Sequence, residues 1–232
     1  MLLAIDTSTG VASVALFDGR VLFEASWLAG QDHSRQLLPR VTEALNAIGC
    51  TIGDVQAVGV ALGPGSFNGL RVGLSTAKAI CLANSLPIVG IETLYASAYQ
   101  FRLIGRPIRP IFAAGRDEVA TALYEARGNE FWCLEEPRNA AFEAALRESP
   151  PNVLFCGELK PAWIDAIRTD PRLETERVTR PAESLRRAGF LAELAWQRWQ
   201  AGRLDDVATI QPLYLRRPLI TLRAGATAGG VT

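Results

Sequence analysis

The chain has 232 residues, 49% of them apolar, enough for one large domain or two small ones around a substantial core. Its 24 basic and 24 acidic side chains cancel, so no global field draws it to nucleic acid or to an anionic membrane, and any nucleic-acid contact must be local or made through a partner. A single histidine, His33, and four scattered cysteines, Cys50, Cys81, Cys133 and Cys156, cannot make an HxxxH metal site, a CxxC pair or a disulfide framework, so no metal is expected.

The cysteines read as buried thiols in a reducing cytosol. Met1 to Ile5 meets Asp6 too soon to form a secretory apolar region, and no run of about 18 apolar residues offers a membrane span. A cytoplasmic protein with no membrane partner is expected.

In chain order, residues 2–6 predict a buried strand that delivers Asp6-Thr7-Ser8-Thr9-Gly10 into a turn. Ala12, Val14 and Leu16 alternate in a second strand, Asp18-Gly19 makes a hairpin, and residues 21–27 form a third strand. Two readings of Asp6 stay open. The carboxylate and the hydroxyls after it can cap the turn through local hydrogen bonds, or they can face nucleotide phosphates, as a strand-end aspartate and hydroxyl-rich hairpin do in actin-like enzymes.

His33 and Ser34 lead into a helix on which Leu37, Leu38, Val41, Leu45 and Ile48 are expected on one arc, with Arg40, Glu43 and Asn46 opposite. Pro39 predicts either a start near it or a kink. His33 reads as a capping or interface residue.

Residues 57–62 predict a strand buried on both faces, and Gly63-Pro64-Gly65-Ser66-Phe67-Asn68-Gly69-Leu70-Arg71-Val72-Gly73 joins it to a helix reaching residue 84. Asn68 is the expected N-cap, with Phe67 and Val72 forming a hydrophobic staple. Gly63 and Gly65 allow either close backbone packing or an anion site at the helix start. The spacing fits neither a P-loop nor the dinucleotide fingerprint, although Glu92 stands where a ribose partner could be. On the helix, Leu70, Gly73, Leu74, Ala77, Ile80 and Cys81 share one wide arc, and Val72, Ala79 and Ala83 form a second stripe nearly opposite. Gly69, Gly73 and Ala77 follow at spacing four and make a smooth stripe against which another helix or a sheet backbone can sit closely, so Gly73 faces either a partner or its own sheet.

A strand at 87–91 and a helix at 93–101 complete a first lobe. Gly105-Arg106-Pro107 reads as a boundary. Strands at 108–113, 119–125 and 131–134 then repeat the opening order, followed by a strand at 153–156, a helix after Pro161 and a longer helix at 183–201. The expected division is 1–105, a reduced second lobe 106–221 that includes the C-terminal helix, and a flexible tail 222–232.

Three stretches together resemble the TsaB (YeaZ) family: the Asp6-Thr7-Ser8-Thr9 strand end, the His33-Ser34 to Leu37-Leu38-Pro39 helix entry, and above all Gly63 to Gly73. The likeness runs on to Pro212-Leu213-Tyr214-Leu215-Arg216. What the resemblance implies is an α/β fold of the actin-like (ribonuclease-H-like, ASKHA) kind, two lobes of mixed sheet flanked by helices. It further implies a non-catalytic subunit for threonylcarbamoyladenosine modification of tRNA. Such a subunit dimerises with a TsaD-like catalytic paralogue, works with a TsaE-like ATPase, forms a homodimer when alone, and meets tRNA only through the complex. No cofactor of its own is implied, ATP or ADP being expected only at the interface of the assembled complex.

The residues then expected at the interface are His33, Ser34, Leu37, Leu38, Val41, Leu45, Phe67, Gly69, Leu70, Val72, Gly73 and Ala77. Asp6, Thr7, Ser8, Thr9, Gly63 and Gly65 would be a vestigial nucleotide site. The chain departs from the family pattern at Asn68, usually Thr, and at Ala113-Ala114-Gly115, usually Asp-Ala-Arg, which removes an acid and a base. The alternative is an active actin-like kinase or hydrolase, which needs an adenosine pocket from the later lobe, where only Cys156-Gly157-Glu158 is on offer and Gly229-Gly230 falls in the tail. A glycoprotease lacks a paired histidine and a nucleophile with its base.

Overall fold

The computed structural model describes residues 1–115, 117–128, 130–174 and 178–215. Strands β1 (Leu2–Asp6), β2 (Val11–Phe17) and β3 (Val21–Leu28) form an antiparallel meander, and β4 (Ala57–Gly63) and β5 (Ile88–Glu92) extend it in parallel, giving the order β3-β2-β1-β4-β5. A second sheet, β8-β7-β6-β9, is built from β6 (Ile108–Ala113), β7 (Glu118–Arg127), β8 (Glu130–Ala141) and β9 (Leu154–Gly157), with only β6 and β9 parallel.

Helices cover both faces of the first sheet. Alternation along β1 turns Leu3 and Ile5 toward α1 (His33–Ala47) and α2 (Phe67–Asn84), and turns Leu2 and Ala4 toward α6 (Ala188–Gln200). Helix α3 (Thr93–Tyr99) joins the lobes through Leu94 and Ala98, which pack with Ile108, Phe112 and Tyr124. Short α4 (Phe142–Arg147) and α5 (Pro161–Thr169) cover the outer side of the second sheet, where Phe142 and Trp163 stack at 5.1 Å.

Several expectations are corrected. The C-terminal helix belongs to the first lobe, not to the unit 106–221. Its Leu191 and Ala195 lie on β4, where a Cβ on Gly59 would come within 2.7 Å of the Ala195 methyl. Small residues on both surfaces let the helix sit this close, and the burial of its alanine face decides where it goes. The helix starts at Ala188, and residues 183–185 are instead a turn and bend, with the Ser184 amide bonding the Arg180 carbonyl at 3.0 Å. Strand β8 is far longer than 131–134, and α4 had no expected counterpart. Pro39 lies inside α1. Cys133 is exposed, unlike Cys81 and Cys156, and all four thiols are free. The expected tail 222–232 lies outside the described residues.

Candidate functional site

The hairpin after β1 faces the second lobe, and its polar groups are buried. Asp6 Oδ1 accepts hydrogen bonds from the Ser8 amide at 2.8 Å and from Ser8 Oγ at 2.6 Å, so the local turn forms as the sequence allows. Onto this turn comes a residue from far along the chain. The Arg186 guanidinium, 6% exposed, lies 3.2 Å from Asp6 Oδ2, donates to Thr9 Oγ1 at 2.6 Å and to the Val11 carbonyl at 2.8 Å, and also bonds Ser8 Oγ.

Thr9 Oγ1 in turn donates to Glu158, just past β9 in the second lobe, and Glu158 is 3.7 Å from Arg186. The Phe112 ring lies 5.4 Å from the guanidinium carbon. A phosphate or its metal ion at this hairpin would need the space and the carboxylate that Arg186 occupies. The chain therefore neutralises Asp6 with its own cation.

A second bridge between lobes joins Tyr124, whose hydroxyl donates to Glu92 Oε1 at 2.6 Å. Burial pushes the Glu92 carboxyl above its ordinary range, only partly opposed by the Tyr124 hydrogen bond. Glu92 also borders a cavity of about 300 Å³ with Tyr95, Gln197 and Arg203. A second cavity, about 270 Å³, lies beside Arg186 and is lined by Glu158, Ile164, Thr179, Ser184 and Leu185.

The glycine loop packs against this hairpin backbone to backbone. A Cβ on Gly65 would stand 2.0 Å from the Ser8 carbonyl oxygen, on Gly69 2.1 Å from that of Thr7, and on Gly73 2.2 Å from Thr7 Oγ1. Thr7 Oγ1 donates to the Gly69 carbonyl at 2.7 Å, and the Ser66 amide to the Ser8 carbonyl at 2.6 Å. Of the two readings of the glycines, close packing accounts for them. Gly63, at φ +107, is confined to glycine by conformation as well.

This geometry overturns part of the expected interface. Gly69, Leu70, Gly73 and Ala77 are buried against their own sheet, because the α2 face carrying them is the one that covers β1 and β4. Leu37, Val41 and Leu45 are core residues of α1, and Leu38, 54% exposed, is off their arc. His33 is buried, its Nε2–H donating to the Thr9 carbonyl at 2.7 Å, so it braces the hairpin. Ser34 and Phe67 are exposed and Val72 half-buried. The N-cap of α2 is Ser66, whose Oγ accepts from the Gly69 amide at 3.3 Å; Asn68 lies inside the first turn, which removes the expected staple. At the altered Ala113-Ala114-Gly115 turn, the Ala114 amide bonds the Glu118 carbonyl at 2.9 Å.

Arg186 had no sequence signal, and Glu158 stood out only within Cys156-Gly157-Glu158, as a candidate for an adenosine pocket and not as a partner of Thr9 and Arg186. Arg186 falls in the first turn of the helix expected at 183–201, near Arg180, Glu183 and Arg187, with nothing in the pattern to mark it. Among the described residues, no group of three or more His, Cys, Asp or Glu side chains is placed to hold a metal ion, and no helix is long and apolar enough to cross a membrane.

Two lobes, each a mixed sheet opened by an antiparallel meander and closed by a parallel strand, with the polar hairpin of β1 in the cleft between them, define a protein of the actin-like (ASKHA) class. The family described as TsaD, tRNA N6-adenosine threonylcarbamoyltransferase, matches residues 27–153. The tRNA threonylcarbamoyladenosine biosynthesis protein TsaB of Escherichia coli is 29% identical over 93% of this chain and 94% of its own, and that of Bacillus subtilis 32% identical over 67% and 70%. The chain belongs to the TsaB (YeaZ) family. The fold agrees with the structure of YeaZ from Pseudomonas aeruginosa at a TM-score of 0.76 and 24% identity, covering 92% of this chain and 99% of that one.

Proposed function

We propose that this protein is a non-catalytic subunit in threonylcarbamoyladenosine synthesis on tRNA, a scaffold that pairs with a TsaD-like catalytic paralogue and supports a TsaE-like ATPase. The observation that carries this reading is Arg186 on Asp6. An actin-like phosphotransferase needs that carboxylate and those hydroxyls to face phosphate and metal, and here they are spent on an internal guanidinium. The kinase or hydrolase alternative would require Arg186 to leave a buried ion pair. We further propose that the chain holds no nucleotide of its own, any ATP or ADP lying at the interface of the assembled complex, and that it works in the cytoplasm.

With the glycine stripe buried, the partner surface is assigned to the outer side of the α1–α2 layer. Leu82 is 72% exposed and Leu38 54%, with Ala79 and Ala83 exposed and Val72 half-buried beside them. This second stripe of α2 would form the homodimer contact in isolation and the paralogue contact in the complex. Co-purification from the native cell extract tests the reading. Recovery of the TsaD-like paralogue, with loss of the modified nucleoside from tRNA when the gene is silenced, is the expected result. Steady-state ATP turnover by the pure chain that disappears in Asp6→Ala would overturn it.

A further inference from the structure

The last described segment, residues 205–215, crosses the face of the first lobe beside α2. Asp205 Oδ2 accepts from the Gly90 amide at 2.8 Å, the Ala208 carbonyl accepts from Lys78 at 3.2 Å, and the Leu213 amide donates to the Leu62 carbonyl at 2.7 Å. This strap lays the Tyr214 ring 5.4 Å from the Phe67 ring at a tilt of 32°, and Arg71 stands 5.0 Å over Phe67. Both rings are open to solvent, Phe67 44% and Tyr214 37% exposed.

Cations stand beside them, and the carboxylates of the strap, Asp205 and Asp206, lie at its start. No acidic residue occurs between Asp54 and Glu92, the stretch that carries Phe67, Arg71 and Lys78, and none occurs between Asp206 and Tyr214. Among the described residues no carboxylate pairs with Arg71 or Lys78. In a chain of zero net charge this is a local cationic, aromatic strip. It is also distinct from the Val72, Ala79 and Ala83 stripe assigned above to protein partners, although it borders Leu82. On a wheel of about 100 degrees per residue, Phe67, Lys78 and Arg71 lie within about 40 degrees on the strap side, Val72, Ala79 and Ala83 fall about 120 to 160 degrees round, and Leu82 stands between the two at about 60 degrees.

We propose that Phe67, Arg71 and Tyr214 form a stacking platform for unpaired bases of RNA. Aromatic rings receive a base face irrespective of sequence, and an unpaired guanidinium beside them supplies both phosphate attraction and a second planar surface. A protein partner would also favour aromatics, arginine and few carboxylates, so what favours a polyanion is that Arg71 and Lys78 carry no carboxylate partner among the described residues. The choice of RNA among polyanions rests on the proposed role in tRNA modification.

Fluorescence anisotropy of the full chain with a short unstructured RNA tests the platform, with a duplex of equal length as control. Saturable binding to the single strand, weaker to the duplex, is expected, and Phe67→Ala and Tyr214→Ala should each weaken it about 5- to 100-fold. Arg71→Gln should lower the slope of log affinity against log salt by about 0.7. Phe67→Trp should restore or tighten binding, which a purely structural ring would not do. Three outcomes overturn the platform: no saturable binding, equal affinity for duplex and single strand, or Ala variants that bind as the parent does. If those variants instead lose self-association in size-exclusion chromatography with RNA binding unchanged, the strip is a protein contact and the proposal fails. Nucleoside analysis of tRNA from cells carrying Phe67→Ala separates the two readings: RNA affinity left unchanged by Phe67→Ala removes the platform, while intact modification in those cells leaves the scaffold role standing.

Discussion

The carboxylate of Asp6 and the guanidinium of Arg186, 180 positions apart in sequence, lie 3.2 Å apart in a site where each is less than a tenth exposed. Removing one member leaves the other charged and buried, which costs about 3 to 5 kcal/mol. Arg186→Leu is therefore expected to lower stability by about that amount in urea denaturation. The double variant Asp6→Asn with Arg186→Leu should recover much of the loss. Equal stability of the single and double variants would show that the pair contributes nothing.

Gly73 tests the reassigned stripe. Its Cβ would stand 2.2 Å from Thr7 Oγ1, so even Gly73→Ala must turn Thr7 away from the Gly69 carbonyl, at a cost of about 1 to 3 kcal/mol. Gly73→Arg places a charge in the core and is expected to give an unfolded chain by circular dichroism. A folded monomer would instead return this glycine to a partner surface.

Leu82→Glu and Leu38→Glu add charge at exposed positions on the outer side of α1 and α2. Stability should change by less than about 0.5 kcal/mol, as for most surface substitutions. Self-association in analytical ultracentrifugation and recovery of the paralogue should both fall. Variants that pair as the parent does would place the contact elsewhere.

Glu92 gives the fold a pH dependence of definite sign. Its carboxyl is raised from an ordinary value of 4.5, chiefly by burial, so the folded state holds the proton more tightly than the unfolded one. Stability contributed by this group is full below about 4.5 and falls as pH rises through the folded value. Glu92→Gln keeps an acceptor for Tyr124 and removes the ionisation, and its stability should be flatter across that range. A parallel decline in parent and variant would assign the dependence to other groups.

Much of the first lobe was legible because its signals are local. Alternation over β1 to β3, the turn at Asp18-Gly19, and the glycine-punctuated passage from β4 to α2 act within a few residues of where they are read, and steric limits on the backbone leave few alternatives. The family pattern lay in the same local stretches. Periodicity also marked two apolar stripes on α2, but a stripe records only that something covers it, not what. Thr7 and Ile5 beneath Gly73 made that choice, and they assigned the glycines to the core and the Leu82 side to solvent.

The remaining decisions belong to contacts between distant parts of the chain. Nothing in the pattern of residues 183–187 marks Arg186, yet it is buried because α6 must return to the first sheet to cover Leu2, Ala4 and Ala61, which carries the preceding segment across the cleft. Hydrophobic burial sets that path, and the ion pair follows from where the path runs. The same return strap brings Tyr214 to Phe67. No single stretch of sequence encodes either meeting, since burial is a property of the assembled surfaces while sequence pattern reports one element at a time.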